Sequence, residues 1–252
     1  MSNLMIKSLQ TIAHLYQIAP RQIVLKHLLP NHCLLCRLTS MELLCTACLA
    51  QLPWMQSACL QCAMPLTSTI IQSKCGHCFN TTLPFNKILT VFKYQTPIDK
   101  LVNDLKFHSQ LSVAALFAQL MAQKVIAHYQ DQPLPELLIP IPLHRRRLRE
   151  RGYNQSIEIA RYVGKQLNIP IDILSCQRII NTPAQSQIPA AARQRNIKRA
   201  FLTKAIKAQH VAIIDDVVTT MSTIKEFAAT LRNSTIKQID VWTIARTTLG
   251  SR

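Results

Sequence analysis

Eight of the nine cysteines fall into four Cys-x-x-Cys pairs, Cys33/Cys36, Cys45/Cys48, Cys59/Cys62 and Cys75/Cys78, separated by gaps of 8, 10 and 12 residues. A two-residue gap lets both thiolates of a tight turn face one tetrahedral ion at about 2.3 Å, and two such knuckles close a four-sulfur site. Eight ligands therefore predict structural zinc, two ions if both sites fill, with no open ligand position for catalysis. Sequential pairing is expected, Cys33/Cys36 with Cys45/Cys48 and Cys59/Cys62 with Cys75/Cys78. A disulfide framework belongs to exported chains, and no export signal accompanies these cysteines; a thioredoxin-like dithiol accounts for one pair and not for four. Among the pairs, Cys75-Gly-His-Cys78 carries a glycine inside its knuckle, and none of the other second cysteines is followed by one. One of the two sites is expected to be the weaker for that reason. His32 and His77 neighbour the ligands and read as bystanders, while Cys176 lies far away and reads as a small buried apolar residue.

A second chemistry is written in residues 211 to 223, VAIIDDVVTTMST: an apolar strand, two adjacent acids, then a hydroxyl-rich turn opening a helix. A helix N-terminus presents free backbone N–H groups and the positive end of the dipole, so Thr219, Thr220, Ser222 and Thr223 can cradle a phosphate. Asp215 and Asp216 can accept from two neighbouring ribose hydroxyls or hold a hydrated Mg²⁺ through one carboxylate. The segment resembles the phosphoribosyl-diphosphate signature of type I phosphoribosyltransferases, which makes the two acids the expected catalytic residues. It departs at Met221, where the family carries a small residue, usually glycine. A bulky side chain there restricts φ and is expected to crowd the phosphate, weakening binding or turnover.

Guanidinium groups, suited to gripping diphosphate, fill a further segment, IPIPLHRRRLRERGYNQS from 139 to 156. His144 and Arg145 are the expected diphosphate ligands, in a loop after a core strand. Arg145, Arg146, Arg147, Arg149 and Arg151 form a basic cluster in which Tyr153 is the one aromatic. Arg193, Arg195 and Arg199 form another in the segment 182 to 201, which has the place of a substrate-covering loop. Both clusters are candidates for tracking a DNA backbone, with modest base stacking and strong salt dependence.

These residues need a scaffold, and the intervening pattern supplies one. Residues 88 to 94 (ILTVFKY) read as a strand; Pro97 opens a helical region with Leu101 and Leu105, then Leu111, Ala115, Ala118, Ala122 and Val125, interrupted near His108 and Ser109. From Leu137 strands and helices alternate: a strand over 137 to 142, a helix from Asn154 to Leu167, short extended pieces over Ile171 to Leu174 and Arg178 to Ile180. A buried strand from His210 to Asp215, a helix from Ser222 to Leu231 and a strand from Ile236 to Ala245 follow. Such alternation implies an α/β fold with a parallel sheet flanked by helices, whose ligands bind beyond the carboxyl ends of the strands. The division expected is a helical extension over 1 to 30, a double zinc-ribbon-like module over 31 to 84 and the α/β domain over 85 to 252.

Charge sharpens the choice of partner. Of 252 residues 29 are Lys or Arg and 12 Asp or Glu, a formal +17, of which +4 falls in residues 1 to 84 and +13 in residues 85 to 252. The larger domain thus carries a field that draws in polyanions. Apolar stretches near the N-terminus are broken by Lys7, His14, Arg21 and Lys26, so neither a signal peptide nor stable membrane insertion is expected, although Leu4, Leu9, Ile12, Leu15 and Ile18 form a helical stripe.

Taken with Gln185, Arg193, Asn196 and Phe201, the cysteine module, the PIPLHRRRLRERGYNQS segment and the Asp-Asp-Val-Val-Thr-Thr loop resemble the ComF/GntX family over all but the first ~30 residues. The resemblance implies a cytoplasmic bacterial protein with a zinc module joined to a type I phosphoribosyltransferase-like domain, acting in natural transformation on or near incoming single-stranded DNA. Expected partners are single-stranded DNA, phosphoribosyl diphosphate with Mg²⁺, and a competence helicase or recombination mediator docked by the zinc knuckles. The competing expectation is an active phosphoribosyltransferase with an unidentified acceptor.

Overall fold

The computed structural model describes residues 31 to 66, 74 to 181, 199 to 232 and 235 to 248. The expected N-terminal helical stripe lies outside them, as do Gln185, Arg193, Arg195 and Asn196. The chain divides between Gln51 and Leu52 into two compact units. In the smaller, β1 (Asn31–His32) pairs antiparallel with β2 (Thr39–Ser40), and α1 (Thr46–Ala50) follows. By its contacts the second cysteine cluster belongs to the larger unit.

The larger unit contains α2 (Gly76–Phe79), β3 (Lys87–Lys93), α3 (Ile98–Phe107), α4 (Leu111–His128), β4 (Leu137–Pro140), α5 (Arg145–Arg151), α6 (Gln155–Leu167), β5 (Cys176–Arg178), β6 (Phe201–Thr203), β7 (His210–Val218), α7 (Ser222–Leu231) and β8 (Gln238–Arg246). Strands in the order β3-β8-β7-β4 form one sheet, every pairing parallel, and β5 and β6 form an antiparallel hairpin. β7 and β8 are buried along most of their length because both sheet faces are covered, as parallel sheets require. On one face Ile139, Val211, Ile213, Ile239 and Val241 share a core with Phe227 and Leu231 of α7 and with Cys59 and Cys62. Elsewhere α4 packs on α6, β3 and β8. By composition α4 is long and apolar enough to cross a membrane, yet half of it is buried inside the protein, which makes it a core helix.

Several elements differ from the pattern reading. The extended pieces expected over Ile171 to Leu174 and Arg178 to Ile180 give way to one strand, β5, which ends at Arg178 and pairs with β6. Strand β7 runs three residues past Asp215 because β8 continues beside it as far as Val218 paired with Arg246. The arginine segment is a helix and not a loop: His144 Nδ1 caps it by accepting from Arg146 N–H at 3.2 Å, and Gly152, at φ 84°, closes it in a left-handed turn that other residues adopt at a cost. That helix buries no residue, so no apolar period marks it in the sequence.

Candidate functional site

The acid pair stands near the carboxyl end of β7, where the parallel sheet directs ligands. Asp216 is buried, 4% exposed, and its Oδ2 lies 2.5 Å from Nζ of Lys106 in the last turn of α3. Burial opposes ionisation of Asp216, but the Lys106 ammonium overcomes it and holds the carboxyl below its usual range, helped by a hydrogen bond from Gln155. Asp215 behaves in the opposite sense: burial first, and then the negative charge of Asp216, push it up to about 8. Two adjacent acids therefore divide into one carboxylate and one group that holds its proton near neutrality. Ser156 Oγ donates to Asp215 Oδ1 at 3.3 Å, and Arg151 Nη1 donates to Gln155 Oε1 at 2.5 Å. The segment containing Ser156 is fixed by Asn154, which caps α6 by accepting from Ser156 N–H at 2.9 Å and donates from Nδ2 to Ile141 O at 2.9 Å. The two segments singled out in the sequence thus meet at Asp215. Lys106 and Gln155 were not singled out there, since each reads as an ordinary polar residue of an amphipathic helix.

Beyond the acids, Thr219 and Thr220 are half-buried and Thr220 Oγ1 lies 2.9 Å from Ser222 Oγ at the start of α7; Thr223 is half-buried in the first turn. Met221 occupies the position that needs a left-handed backbone, φ 64°, which costs a side-chain-bearing residue roughly 1–2 kcal/mol. Its side chain is 7% exposed and belongs to the core that contains Phe227. The restriction on φ expected from the sequence is present, while the side chain itself is directed into the core.

Arg246 lies beneath this loop and is 2% exposed. Its Nη1 donates to the carbonyls of Val218 at 3.1 Å, Thr247 at 3.3 Å and Thr219, and its Nε donates to Cys62 O at 3.2 Å. Burial lowers its pKa against the raising influence of the nearby cysteines. A single guanidinium therefore ties the backbone of the hydroxyl loop to a cysteine knuckle. Nothing in the sequence distinguishes it from the end of a strand.

On α5, Arg145, Arg146 and Arg149 are exposed, Arg147 and Arg151 half-buried, and Arg146 pairs with Glu150 at 2.9 Å. A cavity of about 440 Å³ lies beside this helix, with His144, Arg145, Asp172 and Arg178 among its polar lining and Leu148 and Ile157 among its apolar lining. Burial, and then the charge of Arg147, lower Arg178 to about 10, with Asp215 raising it. Arg199 is exposed at φ 58°, its backbone N–H donating to Glu226 Oε1 at 2.5 Å.

Both cysteine clusters assemble in the sequential pairing. Within each set of four the sulfurs lie within 4.8 Å of one another. Cys36 and Cys45 Sγ are 3.8 Å apart and Cys62 and Cys75 Sγ 3.6 Å, against an edge of about 3.8 Å for a tetrahedron of 2.3 Å Zn–S bonds. The knuckles repeat one geometry. Arg37 and Ala63, each just after a second cysteine, take φ 64° and 54° and donate to Cys33 O and Cys59 O at 2.9 and 3.0 Å. Cys45 and Cys75 cap α1 and α2 with nearly identical backbone angles. The first cluster, which has no glycine in its knuckles, is thus as complete as the second, and the residues fit zinc. Burial works against ionisation of Cys33 and Cys59, but surrounding N–H groups bring them down to about 6 and about 7; Cys36, Cys48, Cys62 and Cys78 are raised, so four thiolates in one cluster require a cation to offset their charge. Cys176 is buried, and burial raises its thiol to about 12.

Comparison with known proteins matches residues 24 to 79 to the double zinc ribbon domain. The DNA utilization protein YhgH of Salmonella typhi is 33% identical over 224 residues, 86% of this chain and 98% of that protein. Its counterpart in Escherichia coli K12 is 31% identical over 225 residues with the same coverage. Competence protein F of Haemophilus influenzae is 32% identical over 178 residues, 68% of this chain and 78% of that protein. Similarity sustained along nearly the whole of YhgH, over a chain with two complete four-cysteine clusters and a parallel α/β sheet, means that this chain belongs to the ComF/GntX family, with competence protein F and DNA utilization protein YhgH as relatives.

Proposed function

We propose that the protein serves the uptake and use of DNA, handling single-stranded DNA in the cytoplasm on a domain that also seats phosphoribosyl diphosphate. The relatives named for competence and DNA utilization support the first part. The observation that carries the second is the acid pair at the end of β7, with one acid ionised against Lys106, followed by a hydroxyl loop at the N-terminus of α7. Asp215 and Asp216 would take the ribose hydroxyls, and Thr219, Thr220, the backbone of Met221, Ser222 and Thr223 the phosphate next to the ribose. His144 and Arg145 on the cavity edge, together with Mg²⁺ arriving on the ligand, would meet the diphosphate. Exposed Arg145, Arg146 and Arg149 would track the DNA backbone, with Arg147 and Arg151 on the same helix and exposed Arg199 as a further phosphate contact.

The test pairs two variants. Asp215→Ala with Asp216→Ala abolishes phosphoribosyl-diphosphate binding, and replacing Arg145 and Arg149 by Gln lowers oligonucleotide affinity and its salt slope. An acid-pair variant that binds as the native protein does, or an Arg variant with an unchanged slope, overturns the corresponding half. A second reading, phosphoribosyl transfer to an acceptor, is favoured by the burial of the Met221 side chain away from the loop. Release of pyrophosphate in the presence of an acceptor tests it. Docking of a competence helicase or recombination mediator by the zinc ribbons is tested by a pull-down with the full chain and with Cys33→Ser.

A further inference from the structure

We infer that Phe107 is a stacking platform for one base of a single-stranded nucleic acid, set on the rim of the acid-pair site; the inference deepens the DNA reading above and rests on it. Phe107 is the last residue of α3 and is 69% exposed, whereas Ile98, Leu101, Val102 and Leu105 of the same helix are buried. The buried apolar face of α3 therefore does not account for an aromatic at this position. The residue before it, Lys106, reaches Asp216, so the backbone of Phe107 is anchored one residue from the site.

The ring is also oriented. The Arg151 guanidinium carbon lies 5.4 Å from its centroid, within cation–π range, and Arg151 is itself held by Gln155, the neighbour of Ser156, which donates to Asp215. Phe107 is thus flanked by Lys106, which meets Asp216, and by Arg151, whose partner Gln155 precedes the Ser156 that meets Asp215. Tyr94 lies within reach of the charges of both Lys106 and Asp216. Tyr153, the aromatic within the arginine segment, is half-buried and so is the poorer platform.

An exposed, cation-backed ring next to a row of guanidinium groups is the combination that binds single strands without sequence preference, the ring taking a base and the charges the phosphates. The exposed Arg145, Arg146 and Arg149 on the helix that carries Arg151 favour a polynucleotide over a free nucleobase, which would have no phosphates for them to meet.

The experiment is fluorescence anisotropy with a labelled oligothymidylate of about 15 nucleotides, matching the site size of single-strand binders, across a salt series. Phe107→Ala, at an exposed site, leaves the fold intact and weakens binding roughly 5- to 100-fold at every salt concentration, with the slope against log salt unchanged. Phe107→Trp restores affinity, and its indole emission is quenched on addition of the oligonucleotide. Native-like affinity in Phe107→Ala, or a loss confined to the salt slope, overturns the platform while leaving the DNA reading in place. A native chain that does not bind the oligonucleotide overturns both. Binding of free thymidine that depends on Phe107 equally, with no gain from the polymer, overturns the single-strand assignment.

Discussion

Replacing Arg246 by Met keeps the apolar stem and removes the guanidinium that joins Cys62 to the loop after β7. Val218 O also accepts Thr247 N–H at 3.0 Å, so the loss falls chiefly on the carbonyls of Cys62 and Thr219. A buried acceptor deprived of its donor costs about 1–3 kcal/mol, and relief of the buried charge returns part of the sum. The expected net loss is about 2–4 kcal/mol, a large share of the ~5–15 kcal/mol that holds a domain folded. Urea unfolding measures it. Hydrogen exchange adds the local signature: amides of Thr219 to Ser222 and of Cys62 to Met64 exchange faster in the variant. Arg246→Lys, with one ammonium in place of a fork, falls between the two. An Arg246→Met protein within ~0.5 kcal/mol of the native one, with unchanged exchange at both segments, refutes the tie.

Other predictions follow from the same geometry. Met221→Gly relieves roughly 1–2 kcal/mol of left-handed strain and forfeits roughly 1.5–3 kcal/mol of burial, so the variant is about 1 kcal/mol less stable by urea midpoint. Its diphosphate affinity stays within about threefold of native, less than 1 kcal/mol, because the side chain already lies in the core. Asp215, pushed up to about 8, keeps in the folded protein a proton that the unfolded chain releases near pH 4. Its contribution therefore falls as pH rises from about 4 to about 8, and Asp215→Asn flattens that fall in a series of unfolding midpoints. Asp216, held low by Lys106, contributes in the opposite sense, losing its stabilisation as the pH falls through its folded value. Cys75→Ser, in a cluster whose Cys59, Cys62 and Cys78 are buried within the sheet's core, lowers the melting temperature of the α/β unit more than Cys36→Ser, while each halves zinc released to a chromophoric chelator.

What could be read in advance was whatever carried a period or a cap. The alternation from Leu137 onward gave the parallel sheet, Ser222 to Leu231 was located to the residue by its apolar spacing, and the break expected near His108 and Ser109 falls where Ser109 takes a left-handed backbone. The cysteine pairing followed from spacing. The helix Arg145–Arg151 could not be read, because it has no buried face and rests on a histidine cap, Gly152 and one Arg146–Glu150 pair. The site's cations, Lys106 and Arg246, were equally silent: each acquires its meaning from a partner more than 100 residues away, Asp216 or Cys62. The affiliation of the second cysteine cluster with the α/β unit is tertiary in the same way, arising from contact of Cys59 and Cys62 with the sheet core.

We propose that the acids and hydroxyls from Asp215 to Thr223 seat a phosphorylated ribose. Titration calorimetry of the native protein and of Asp215→Asn with phosphoribosyl diphosphate and Mg²⁺ tests it most directly. One ligand per native chain is expected, with affinity roughly 10- to 100-fold weaker in the variant, the worth of one hydrogen bond to a charged group. Absence of binding to the native protein, or equal affinity in the two, contradicts the claim.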